Sequence, residues 1–130
     1  MRNGNGPCHS AVACLLAAAL GVTATASATD APVEIAQLLD IVASSDCTFF
    51  RNDTARSAAE AREHMERKYD YVQKRVRTTE DFIELAASRS SMTGRAYYVE
   101  CPNRERETAW EWLTGLLKAL RGASVEAVGR

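Results

Sequence analysis

Apolar residues recur at helical spacing in four stretches of this chain and alternate at strand spacing in two shorter ones. Ile35, Leu38, Leu39 and Val42 fall at i, i+3, i+4 and i+7, and Asp30 and Pro32 ahead of them predict a helix start. Ser44, Ser45 and Asp46 end that helix. A capping box of Ser57 and Glu60 opens a longer one, with Ala58, Ala61, Met65, Tyr69, Val72 and Val76 along its buried side. Thr78 starts a third, whose Glu80 and Asp81 suit the positive end of the helix dipole and whose Phe82, Ile83, Leu85 and Ala86 face inward. Ser90, Ser91 and Gly94 break it. Thr108 and Glu111 cap the last, where Trp110, Trp112, Leu113, Leu116, Leu117 and Leu120 form a broad apolar face. Two tryptophans two positions apart cannot share a helix face, so one of Trp110 and Trp112 is expected to be partly exposed. Residues 123–130, after Gly122, are expected as a flexible tail.

The first 28 residues carry Arg2 as their only charge, an apolar stretch from Ala11 to Val22, and the small-residue site Ala26-Ser27-Ala28. This pattern predicts a signal peptide cleaved near Ala28. The apolar stretch is shorter than the roughly 20 residues that span a bilayer, so no stable membrane insertion is expected after cleavage. Lipid attachment at Cys14 fits poorly, because most of the apolar residues follow that cysteine. Cleavage leaves 15 basic and 17 acidic side chains, a net charge of −2, which argues against a nucleic-acid partner. Residues 29–122 then form one small α+β domain, for which a covalent tie matters.

Cys8 and Cys14 leave with the signal, and Cys47 and Cys101 remain for an oxidising compartment. A metal pair would need further ligands, and His64 is the one histidine left, so the two thiols read as a disulfide. Cys47 begins the strand pattern that runs to Arg51, and Cys101 ends the one that starts at Ala96. An antiparallel pairing joins start to end, placing Phe49 opposite Val99, Phe50 opposite Tyr98 and Arg51 opposite Tyr97. Phe49 and Val99 then share the disulfide's face, with Thr48, Phe50, Tyr98 and Glu100 on the other. The expected architecture is about four helices packed around this two-stranded antiparallel ribbon.

The ordered set Ser45-x-Cys47-x-Phe49-x-Arg51-Asn52, Ala58-x-x-Ala61-x-x-His64-Met65-x-x-Lys68-Tyr69, Glu80-Asp81-Phe82-Ile83, Ser90-Ser91-x-x-Gly94-x-x-Tyr97-x-Val99-x-Cys101 and Trp112-Leu113 resembles the YfeK-like family of small exported bacterial proteins of unknown function. The resemblance covers about residues 33 to 121 and implies a periplasmic protein with one disulfide. Asp53 departs from it, because the family often has Gly after Arg-Asn.

Helical spacing puts Glu60, His64 and Lys68 in one row beside the apolar face of the second helix. One reading is a solvated edge with i, i+4 charge pairing; the other is a polar site near Arg51, Asn52 and the turn they enter, with Ser90 and Ser91. Arg89 and Arg95 each read singly as ordinary solvated surface; taken with Arg51 and Lys68 they suit an anion or a partner's carboxylate. No nucleophile elbow, metal cluster or cofactor fingerprint is present, and no catalytic residue or cofactor is assigned. The expected function is therefore a non-catalytic periplasmic binding module whose partner is a protein or envelope component. The alternative is a small hydrolase using His64 with Glu60 and Ser90 or Ser91.

Overall fold

The structure, a computed structural model, describes Gly21 and residues 30–129. The expected signal peptide, residues 1–28, lies outside the described residues apart from Gly21. Helix α1 (Ala31–Ser44) starts at Asp30 with Pro32 in its first turn and buries Ile35, Leu38, Leu39 and Val42. A hairpin of β1 (Thr48–Arg51) and β2 (Thr54–Arg56) leads into α2 (Ala58–Val72). One 3-10 turn, Gln73–Arg75, precedes α3 (Thr79–Phe82), which widens into a π-helical turn at Ile83–Ala87. Strands β3 (Tyr98–Glu100) and β4 (Glu107–Thr108) follow, and α4 (Ala109–Val128) closes the chain.

Local signals set the helix starts. Ser57 with Glu60, Thr78 with Asp81, and Thr108 with Glu111 each form a reciprocal capping box. The third helix departs from uniform α-geometry because the π-turn adds a residue to one turn. Ile83, Ala86 and Ala87 are thereby all turned into the core. The last helix runs on through Gly122 and into the stretch expected as a tail, residues 123–130, as far as Val128. Ala123, Glu126 and Ala127 favour helix, and nothing packs near Gly122.

The expected two-stranded ribbon is the centre of a four-stranded antiparallel sheet of order β2-β1-β3-β4. Its register pairs Thr48 with Glu100, Phe49 with Val99 and Phe50 with Tyr98, and Cys47 is bonded to Cys101 beside the first of these pairs. The two extra strands are three and two residues long, and each extends its neighbour through a turn. Asn52 and Asp53 both take the left-handed conformation (φ 50° and 62°), which is the two-residue type I′ hairpin. Arg51 therefore pairs with Thr54, and Phe49 with Arg56.

The sheet has one dry face. Phe49 and Val99 point into the helical layer, where the Phe49 ring meets Trp112 edge-on at 5.5 Å. Phe82, Leu113 and Leu117 fill the same core with the buried face of α1. The opposite face is open, with the Arg106 guanidinium stacked 3.8 Å from the Phe50 ring centre and paired to Glu100 at 2.9 Å. Trp110 is 52 % exposed, whereas Trp112 is buried.

Candidate functional site

Side chains two apart on a strand share a face, so Arg51 lies on the inner face with Phe49, and Arg56 joins them through its pairing with Phe49. Tyr97, two residues before Val99, is on the same side and only 8 % exposed. Its backbone is held at both ends: the Tyr97 amide donates to Ser88 O at 2.8 Å, and the Ala109 amide donates to Tyr97 O at 2.8 Å. The polar edge of α2 lies across this end of the sheet. Between them is a cavity of about 150 Å³ whose wall includes Arg51, Arg56, Glu60, His64, Arg67 and Tyr97. Phe49, Met65 and three alanines, Ala61, Ala87 and Ala109, make the rest mainly apolar.

His64 Nε2 lies 3.3 Å from the Tyr97 hydroxyl, with the rings edge to face at 5.8 Å. Lys68 Nζ sits 5.2 Å from the centre of the Tyr97 ring and donates to Arg89 O at 2.6 Å. Burial, then the positive charges of Arg51, Lys68, Arg67 and Arg56, lower the His64 pKa to about 4, so the imidazole is neutral at neutral pH. Burial, with Arg51 and Arg89, also pulls Lys68 below the ordinary lysine range. Burial raises the Tyr97 hydroxyl, opposed in part by Arg51 and by a hydrogen bond with Ser90. Arg51 bears electrostatically on all three groups.

Three arginines line the cavity, and two have a helical glutamate of their own: Arg56 lies 3.6 Å from Glu60, and Arg67 3.6 Å from Glu63. Arg51 makes no ion pair or side-chain hydrogen bond among the described residues. Arg56 carries a second unmet donor, since its Nε is buried without a hydrogen-bond partner. The wall thus presents guanidinium N–H groups of Arg51 and Arg56 that no protein acceptor among the described residues takes up.

The structure brings Arg51, Glu60 and His64 to one cavity, with Lys68 joined to them over the Tyr97 ring. Ser90 reaches the group only through Tyr97, and its Oγ also accepts from the Thr93 amide at 3.3 Å. Ser91 is exposed in the following turn. Asn52 lines a separate hollow on the open face of the sheet, where Arg95 pairs with Asp53 at 2.6 Å. Glu60 is held by its cap, accepting from the Ser57 amide at 2.8 Å, and is not hydrogen-bonded to His64. Sequence reasoning did not find Arg56 and Arg67, and it placed Tyr97 opposite Arg51 on the second strand without counting it in the site. The signal was the pair Asn52-Asp53 between two β-prone runs: reading it as a hairpin brings Arg56 back beside Phe49.

Fold and cavity together define a disulfide-tied α+β domain with an electropositive, half-apolar pocket between one sheet end and one helix. The chain belongs to a family of unknown function, DUF5329, whose profile matches residues 29–121. It is also similar to the uncharacterized protein YfeK of Salmonella typhimurium, with 42 % identity over 52 residues, 40 % of this chain and 43 % of that protein. The match therefore spans less than half the length of the relative. No solved structure matches the chain significantly.

Proposed function

We propose that this protein is an exported, periplasmic, non-catalytic binding module that takes an anionic group into the cavity between β1, α2 and Tyr97. The observation that carries the reading is Arg51: a half-buried residue on the cavity wall whose charge bears on a neutral His64 and a pKa-lowered Lys68, with no acid paired to it among the described residues. Cations held this close without a counter-charge repel one another, and an anion entering the cavity relieves that repulsion. The disulfide suits an oxidising compartment, and no helix among the described residues is long and apolar enough to cross a membrane. A non-catalytic role is supported by the engagement of Glu60 in its cap and by the placement of Ser90 behind Tyr97.

Thermal unfolding in the presence of millimolar organic and inorganic anions tests the reading. At least one anion should raise the unfolding temperature of the natural chain and leave Arg51→Ala unmoved. Binding should strengthen as the pH falls from about 6.5 toward 4, because an anion stabilises the protonated His64 that the empty site disfavours. A uniform lack of response to every anion, with the fold intact by circular dichroism, ends the proposal.

A further inference from the structure

We infer that the group this cavity accepts is a carboxylate carried on a small apolar body, of the size of one aromatic ring or a short acyl chain. The inference rests on the anion-binding reading above and narrows it to a chemical class. Its ground is the division of the cavity wall. Arg51 offers a planar fork with no acid among the described residues, and that fork matches the two oxygens of a carboxylate. Arg56 adds one buried, unmet N–H.

Glu60 and Glu63 line the same cavity, so a dianion such as phosphate meets two like charges, whereas a monoanion meets a wall whose surplus cation is Arg51. Phe49, Met65 and the three alanines offer nothing to the oxygens of an inorganic anion and a dry surface to a hydrocarbon. The volume sets the upper bound. About 150 Å³ is the size of an apolar cavity that holds one benzene and is well under that of a drug-sized site. The carboxylate can belong to a free acid or to the C-terminus of a peptide ending in an apolar residue; both present the same chemistry.

Isothermal titration of the full mature chain separates the possibilities, using 3-phenylpropanoate, a tetrapeptide ending in phenylalanine with a free carboxylate, 3-phenylpropanamide, and inorganic phosphate. At least one of the two carboxylates should bind at least about tenfold more tightly than the amide or phosphate. The tighter of the two identifies the source. Arg51→Ala should weaken it by about tenfold or more, and Arg51→Lys, which keeps the charge and loses the fork, should fall between. Phosphate binding as tightly as either carboxylate overturns the ligand class and leaves the anion pocket standing. Equal binding of amide and carboxylate overturns it as well, by showing that only the apolar wall is used. If no anion binds, both the class and the underlying reading fall.

Discussion

Two arginines on this domain are placed in contrasting company. Arg121 of α4 reaches two carboxylates from distant parts of the chain: its Nε donates to Glu34 of α1 at 2.9 Å, and its Nη1 bonds to Glu80 of α3. Glu34 also accepts from the buried Thr79 hydroxyl at 2.6 Å. Hydrogen bonding to Arg121 holds both carboxyls below their usual range and raises the guanidinium's own affinity for its proton. Every strong donor in that cluster has an acceptor, and the cluster ties three helices together. Arg51 has equally good access to a wall of the fold but faces His64, Lys68 and Tyr97 instead of an acid. A paired arginine contributes to the fold, whereas Arg51, with no acid beside it among the described residues, adds little to the stability of the empty domain and keeps its donors for a ligand.

The largest effect belongs to the disulfide at the ends of β1 and β3. Replacing Cys47 and Cys101 together with serine should lower unfolding stability by about 4 kcal/mol in the loop-entropy account, given a sequence separation of 54 residues. Urea unfolding measures this, and a shift of the midpoint below about 1 kcal/mol equivalent would show that the tie does little for the domain.

Breaking the satisfied cluster comes next. Arg121→Ala should cost about 1 to 2 kcal/mol, the lower part of the range for charged hydrogen bonds, because the Arg121 side chain is 36 % exposed while Glu34 is 15 % exposed. The pH dependence supplies the sharper reading. Carboxyls with lowered folded-state pKa values contribute their stability fully above about pH 4.5 and lose it as the pH falls through those folded values. The difference between Arg121→Ala and the natural chain should therefore shrink in acid, and a difference that stays constant with pH would contradict the pairing.

Arg51→Ala should produce the smallest change, within about 0.5 kcal/mol and of either sign, because no bond among the described residues is lost. Its signature is instead in the titration of His64 followed by NMR. Removing one of the cations that oppose its protonation should raise the midpoint from about 4, though not to the full 6.5, since burial is the larger cause and remains. An unmoved midpoint would separate Arg51 from the cavity. A stability loss as large as that of Arg121→Ala would erase the contrast between the two arginines.

The central pairing was legible because two independent signals agreed: the cysteines fixed which ends meet, and the period of two fixed which residues face inward, so Phe49 falls opposite Val99. Helix starts were legible for a similar reason, since each capping box is a local chemical event. Strands β2 and β4 were not. Thr54-Ala55-Arg56 and Glu107-Thr108 carry no apolar alternation and exist because the neighbouring strand offers unpaired backbone groups. The π-turn was equally hidden, because it shifts the apolar period by a single residue within Ile83–Ala87. The polar row of Glu60, His64 and Lys68 was visible as spacing, but Arg56 and Tyr97 joined it only through sheet register and the course of the chain around Ser88.

The placement of the crosslink also sets an order of events. Cys47 lies before α2 and α3 and Cys101 after them, so a chain emerging from its N-terminus carries the first sulfur unmatched until both helices have been made. Pairing β1 with β3 is what brings the second sulfur within reach, and that pairing also lines up Phe49 with Val99 beside the cavity. Closure of the bond is thus a timestamp on assembly. Free thiol at Cys47 or Cys101 counts the molecules that stopped early, and a simple labelling assay on a fresh preparation reads out the fraction of finished domains.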